Sequence, residues 1–355
     1  MEAIQLDPNN GTLSIIKKKI PEVSRVDHVV VKVAYSGFCG TDLHIIQREF
    51  PSSDQPFTQG HEFSGIVHQV GSQVTHVRVG DKVTVDPQNW CTVCDYCTTG
   101  RYHLCAMGGV AMATGIKYDG GFAEYALVLA RQVYKLPNSV SLKLGALSEP
   151  ISCIVRGIER ADLQPPGFQS ILIIGAGIIG NLWSAVLHHM GHRDVTIVEP
   201  QKIRIDMNKK IETGYKCYTP EEFRKAIELD GHSWDLAIDC SGNSRAIEEA
   251  VHALRFGGTL VMFGVAPPTA TIRLSPFDIY KKELKICGSN INPFCMPRAV
   301  KLIEAMGERY LSYERLGIKE FQLREYTKGM EMLASSNIAK LMFAINPALD
   351  KTTGK

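Results

Sequence analysis

The sequence predicts a two-domain α/β protein, a mainly antiparallel β domain plus a doubly wound parallel-sheet domain. Three observations carry that prediction. From Ser24 to about Lys135 the apolar residues fall in short, valine-rich, alternating runs divided by turn signals, the pattern of an irregular antiparallel sheet. Past Pro150, continuous apolar runs alternate with helical stretches, which is how βαβ units and a buried parallel sheet read. The length, 355 residues, is comfortable for two domains of about 100–200 residues each. The expected division is 1–150 for the β domain, with a cysteine-rich lobe at about 91–105, 151–290 for the parallel-sheet domain, and 291–355 for a return to the first.

In the β domain the runs are Val29-Val30-Val31-Lys32-Val33, Ser64-Gly65-Ile66-Val67 and Lys82-Val83-Thr84-Val85, with turns at Val79-Gly80-Asp81 and Asp119-Gly120-Gly121. The second domain opens with the strand candidate Ile171–Ile174. A helix is expected over Asn181–Met190, closed by Gly191, and a second strand over Val195–Val198. Leu236–Ile238, Thr259–Phe263 and Leu284–Cys287 continue the series. Arg298–Met306 reads as a helix and Leu341–Ile345 as a last strand. No internal repeat or low-complexity segment interrupts this order.

Composition narrows the function. Hydrophobic residues make up 45% and charged residues 21%, which is ordinary globular usage, and the net charge is +2. Nothing in that balance suggests a nucleic-acid surface. The longest apolar stretch, around Ile171–Gly180, stops at Asn181, far short of the roughly 20 residues of a membrane span. Met1–Asp7 carries an acid where a signal peptide would be basic, so a cytosolic protein without a membrane partner is expected.

Ten cysteines in such a chain do not read as five disulfides, because the cytosol keeps thiols reduced. Four of them, Cys91, Cys94, Cys97 and Cys105, form a C-x2-C-x2-C-x7-C run. Zn²⁺ takes four thiolates at about 2.3 Å, and C-x2-C spacing lets a tight turn present two sulfurs to one ion. With four ligands the ion is structural and contributes folding energy. An iron–sulfur cluster and free thiols are the alternatives, the former weakened by the absence of a C-x3-C-P ending.

The segment Gly175-Ala176-Gly177-Ile178-Ile179-Gly180 is a G-x-G-x-x-G in full context. A strand precedes it, a helix is expected after it, and Glu199 ends the next strand about 20 residues on. Gly175 permits the tight turn, Gly177 lets a pyrophosphate approach the backbone, and Gly180 lets helix and strand pack closely. The helix N-terminus offers N–H groups to the phosphates. Glu199 suits the ribose hydroxyls and repels a 2′-phosphate, which predicts NAD, whereas the neighbouring Arg204 could stack on adenine or attract that phosphate. Ile179, Val265 and Ser289 complete the expected cofactor-binding set.

The β domain also contains Cys39-Gly40-Thr41-Asp42-Leu43-His44, Gly60-His61-Glu62-Phe63-Ser64-Gly65 and Ser148-Glu149-Pro150. Together with Val79–Val83, the four-cysteine lobe and Gly175-Ala176-Gly177, these resemble the zinc-dependent medium-chain dehydrogenase/reductase superfamily over nearly the whole chain. The branch is similar to sorbitol (polyol) and threonine dehydrogenases, since Glu149-Pro150 stands where the alcohol dehydrogenases of the superfamily place a cysteine ligand. The resemblance implies a GroES-like catalytic domain, a Rossmann domain and two zinc ions per chain. It also implies a homotetramer acting on a small-molecule alcohol.

By that resemblance Cys39 and His61 are catalytic zinc ligands, with Glu62 or Glu149 as the third. Glu62 is favoured as ligand and Glu149 as outer partner. Zinc then activates the substrate hydroxyl, hydride passes to nicotinamide, and Thr41 with His44 relays the proton outward. A plain structural hydrogen bond at a helix start is the other reading of His44. The segment Ser289-Asn290-Ile291-Asn292-Pro293-Phe294 lacks the Arg-Tyr pair of animal sorbitol dehydrogenases, and no arginine occurs until Arg298. A pentitol or another hexitol is therefore expected. L-threonine and a simple secondary alcohol are the rival substrates, and a non-enzymatic crystallin-like or regulatory protein is the rival of another class.

Overall fold

The computed structural model describes residues 1–350 and contains two compact units. The first comprises Met1–Ser152, Ile291–Gly307 and the chain from Lys319 onward, and the second comprises Cys153–Asn290 and Glu308–Ile318.

The first unit begins with the antiparallel hairpin β1 (Glu2–Asp7) and β2 (Thr12–Lys17). It continues through β3 (His28–Gly37), α1 (Gly40–Ile46), β4 (Phe57–Thr58), β5 (Glu62–Val70) and β6 (Lys82–Val85). After α2 (Asp95–Thr98) come β7 (Tyr125–Leu129), β8 (Val133–Lys135), α3 (Leu142–Gly145) and the first residues of α4 (Ser148–Ala161), which belongs to the second unit from Cys153 onward. The valine runs bury because both faces of the sheet are covered. Val29, Val31, Val33, Phe63, Val67, Val83 and Val85 share one core with Ala126, Val128 and Val133.

The second unit is a parallel sheet of β9 (Ile171–Ile174), β10 (Val195–Val198), β11 (Lys216–Tyr218), β12 (Trp234–Asp239), β13 (Leu254–Met262) and β14 (Lys285–Gly288). Its connections include α5 (Ile178–His189), α6 (Lys202–Lys209), α7 (Pro220–Asp230), α8 (Ser244–Ala253) and α9 (Pro276–Lys282). Strand order is β11-β10-β9-β12-β13-β14, all parallel. The order reverses between β9 and β12, and in open α/β sheets that is where ligands bind, beyond the carboxyl ends of the strands.

The chain then passes through α10 (Met296–Leu311), broken at Gly307 (φ 52°, ψ −161°), and α11 (Tyr313–Leu316). It re-enters the first unit with β15 (Ile318–Phe321), α12 (Tyr326–Ala334) and β16 (Lys340–Ala344). The large sheet there runs β15-β16-β3-β5-β6-β8, with β7 also paired to β3. The α/β class and both sheet types match the sequence expectation. The expected helix over Asn181–Met190 instead begins at Ile178, because the turn ends at Gly177, which caps the helix, so Gly180 lies inside its first turn. Among the described residues, no helix is long and apolar enough to cross a membrane.

Candidate active site

Cys39 sits at the N-cap of α1, where its amide donates to Asp42 Oδ2 at 2.9 Å. His61 immediately precedes β5 and Glu62 opens it, and their ligand atoms and the Cys39 thiol all lie within 4.8 Å of one another. His61 is 5% exposed and Glu62 1%. His61 Nδ1 is 3.5 Å from Asp42 Oδ1, which leaves Nε2 as the nitrogen to face a metal, the orienting arrangement usual behind a histidine ligand. Burial opposes a charge on His61, yet the Asp42 carboxylate and the Cys39 thiolate outweigh it and raise its pKa well above the ordinary value. A buried pocket with that much negative field, and with sulfur, nitrogen and oxygen donors converging, is suited to a divalent cation.

Glu149 opens α4 close enough to His61 and Glu62 to feel their charges, but it lies outside the converging donor set. Burial pushes its pKa up to about 7, helped by Glu62 and opposed by His61. Thr41 lies in the first turn of α1, and His44 lies one turn further on. His44 Nδ1 is 2.7 Å from Glu49 Oε2, a partner that the sequence did not single out. Lys340 was also not anticipated. Its Nζ is 2.5 Å from Glu62 Oε2, and both side chains are 2% exposed. A lysine opening an otherwise apolar strand was the available signal.

The four-cysteine lobe is equally organised. Cys91, Cys94, Cys97 and Cys105 present sulfurs within 4.8 Å of one another, with Cys94 to Cys97 at 3.5 Å and Cys91 to Cys97 at 3.8 Å. Four sulfurs tetrahedrally placed on zinc at about 2.3 Å would stand about 3.8 Å apart, so the set fits the ion. Backbone N–H groups of Val93 and Cys94 hold the Cys91 thiol low, at about 6, so that it is readily a thiolate. The lobe is braced at its base, where Trp90 stacks on Tyr102 at 4.2 Å and Arg131 lies over Trp90 at 4.7 Å.

In the second unit the glycine turn follows β9. Gly175 has φ +99°, a conformation that side chains other than glycine's adopt only with strain. A Cβ on Gly180 would lie 2.0 Å from the Gly175 carbonyl oxygen, so only glycine allows this close return of helix on turn. Around Gly177 nothing lies within 4 Å of a Cβ position, which leaves the backbone open to a phosphate at the α5 N-terminus. Glu199, 2% exposed, accepts from the Ala176 amide at 2.8 Å and the Gln201 amide at 2.9 Å, so it ties the end of β10 to the glycine turn.

Arg204 lies in the first turn of α6, Ile179 in the first turn of α5, and Val265 is 56% exposed beyond β13. Ser289 follows β14, its amide bonded to the Met262 carbonyl and its hydroxyl buried without a protein partner. These positions all follow the carboxyl ends of strands or open the next helix.

Residues 25–138 match the family described as the alcohol dehydrogenase GroES-like domain, and residues 179–305 match the zinc-binding dehydrogenase family. The chain is 30% identical over 340 residues to D-arabinitol dehydrogenase 1 of Uromyces fabae, covering 94% of each protein. It is 36% identical over 287 residues to D-xylulose reductase A of Aspergillus niger, covering 77% of each. A solved structure described as a zinc-binding dehydrogenase of Sinorhizobium meliloti 1021, bound to NADP, superposes with a TM-score of 0.87 at 31% identity, covering 97% of this chain and 98% of that one.

Proposed function

The chain belongs to the zinc-binding dehydrogenases with a GroES-like alcohol dehydrogenase domain, and from that premise we propose that it oxidises a secondary hydroxyl of a pentitol or hexitol to give a ketose, with NAD as hydride acceptor. It is a zinc- and NAD(P)-dependent polyol dehydrogenase. The observation that carries the reading is the Cys39–His61–Glu62 donor set, in which the third donor is a carboxylate. A hard oxygen ligand tolerates the oxygen-rich coordination of a polyol's neighbouring hydroxyls better than a second thiolate would. Relatives named for a pentitol and for a pentulose support the same class.

When bound, zinc lowers the pKa of the substrate alcohol as a Lewis acid and the nicotinamide supplies the hydride-accepting carbon. The chain's own residues do the rest. Cys39, His61 and Glu62 hold the metal, and Asp42 keeps His61 oriented. Thr41 and His44 pass the hydroxyl proton outward. Glu49 anchors Nδ1 of His44, so Nε2 is the nitrogen that exchanges the proton with solvent. Glu149, whose pKa burial raises to about 7, stands near the metal ligands as the outer carboxylate. Gly175, Gly177, Ile179 and Gly180 receive the pyrophosphate, Glu199 the ribose, Arg204 the adenine, and Val265 with Ser289 line the nicotinamide half.

NAD is favoured over NADP because a buried carboxylate at Glu199 repels a 2′-phosphate, although the Sinorhizobium neighbour binds NADP. The cysteine-rich lobe is the structural zinc site. The ten thiols suit a reducing, cytosolic compartment, and family resemblance supports a homotetramer. The test is a panel of pentitols, hexitols, threonine and ethanol with each cofactor, followed by absorbance of the reduced nicotinamide. A pentitol or hexitol with NAD should give the highest kcat/KM. Threonine or a simple alcohol as best substrate would overturn the substrate class, and equal efficiency with NADP would overturn the cofactor preference.

A further inference from the structure

Three neighbouring strands bring three residues to one point in the first unit. Lys340 opens β16, Gly37 ends β3 and Glu62 opens β5, in the sheet order β16-β3-β5. Gly37 is paired in register with Glu62 on one side and with Met342 on the other. The Lys340 ammonium lies 2.5 Å from Glu62 Oε2 and donates to the Phe38 carbonyl at 3.2 Å. Both ends of the ion pair are 2% exposed, the most deeply buried lysine–carboxylate contact among the described residues. A Cβ on Gly37 would lie 2.4 Å from that Glu62 oxygen and 2.7 Å from Lys340 Cε, so the pair occupies the space a side chain at 37 would need.

A buried ion pair of this kind is a poor source of stability, because desolvating both charges costs about what their attraction returns. Its value lies in where it holds the carboxylate. Charge complements geometry. The Cys39 thiolate and the buried Glu62 and Asp42 carboxylates, with Glu149 nearby, bring more negative charge than a divalent metal alone offsets, and Lys340 adds a positive charge at Glu62.

We propose that Lys340 is a positioning residue for the catalytic metal: its ammonium fixes one oxygen of Glu62 and thereby presents the other to the metal beside Cys39 and His61. The inference rests on the reading of those three residues as the zinc site. It adds that the last strand of the chain, nearly 280 residues from Glu62 in sequence, sets the geometry and affinity of that site.

The test uses the full-length protein loaded with zinc, with metal content by elemental analysis, affinity by competition with a chromogenic chelator, and the visible spectrum of the cobalt-substituted form. Lys340→Met should keep the lobe zinc and bind the second ion roughly 10–100-fold more weakly, the range usual for lost outer partners, with a shifted cobalt spectrum. Lys340→Arg should recover part of both. Unchanged affinity and spectrum in Lys340→Met would overturn the proposal. Should that variant not fold, Glu62→Gln/Lys340→Met removes the pair without leaving a lone buried charge. Affinity equal to that of Glu62→Gln alone supports action through Glu62, and a further loss refutes it. Cys39→Ser is the control for the premise: it should hold one zinc instead of two, and retention of both would show that the site reading itself had failed.

Discussion

Glu199 serves two purposes with one carboxylate. Each oxygen already accepts a backbone amide, from Ala176 and from Gln201, so the residue shapes the glycine turn in addition to the ribose contact proposed for it. Glu199→Ala should therefore raise KM for NAD and shift the NAD/NADP ratio of kcat/KM toward NADP by about tenfold, equivalent to ~1.4 kcal/mol. Glu199→Gln, which keeps an acceptor oxygen but loses the charge, should shift the ratio with a smaller rise in KM. A ratio unmoved in both variants would mean that charge at this position does not select the cofactor. Asp86 makes a different kind of prediction. Burial raises its pKa from 3.8 to about 7, against the opposing bonds from Gln88, Asn292 and Tyr102. Between those two values the folded chain keeps a proton that the unfolded chain has lost, so stability from this residue is present at low pH and lost as pH rises toward about 7. Asp86→Asn is neutral throughout. Its urea midpoint relative to the unmodified protein should therefore rise from about pH 5 to about pH 8, and a constant difference across that interval would contradict the assignment.

At the scale of elements, the two metal centres are built in opposite ways, and their variants should differ accordingly. The lobe from Cys91 to Gly100 is mostly half-exposed or exposed, and its one helix has four residues. Such a segment depends on its ion for structure, so Cys94→Ser should lower Tm and expose the lobe to protease. Cys39 instead caps a helix that packs Asp42 and Ile45 into a formed core, so Cys39→Ser should abolish turnover with little change in Tm. Equal loss of Tm in both would refute this division. The same contrast explains what was legible in the sequence. Strands Lys82–Val85, Ile171–Ile174 and Val195–Val198 are buried at every residue; the first was readable as a valine-rich alternating run and the other two as apolar runs. The hairpin of Glu2–Asp7 and Thr12–Lys17 was not, because its second strand is only half-buried and reads as a mixed polar segment. β11 is too short, at three residues, to show any period. The early start of α5 was hidden because glycine spacing shows where a turn is required but not which of its residues begins to donate helical bonds.

For the whole molecule, ligand spacing made the four-cysteine lobe readable locally and family resemblance pointed to Cys39 and His61 with Glu62 or Glu149, whereas Lys340 against Glu62 and Asp42 against His61 exist only through strand pairing and packing. Sequence distance conceals such contacts, since nothing near position 340 indicates which carboxylate it will meet. The division of labour between the units is nonetheless sharp. Every residue of both metal sets belongs to the first unit, and Gly175, Gly177, Gly180, Glu199, Arg204, Val265 and Ser289 belong to the second. The sheet of the second unit has a core of its own, including Leu172, Ile174, Phe223, Trp234, Ile247 and Leu260, and no metal ligand contributes to it. Chelation should consequently separate binding from chemistry. After treatment that removes the zinc assigned to Cys39, His61 and Glu62 in the proposed site, the protein should still quench its tryptophan fluorescence on adding NADH with a Kd within about threefold of the loaded enzyme, a difference under ~1 kcal/mol. Turnover of the best polyol should be abolished and should return on adding zinc. Loss of NADH binding in step with the metal would show that the dinucleotide site is not formed by the second unit alone.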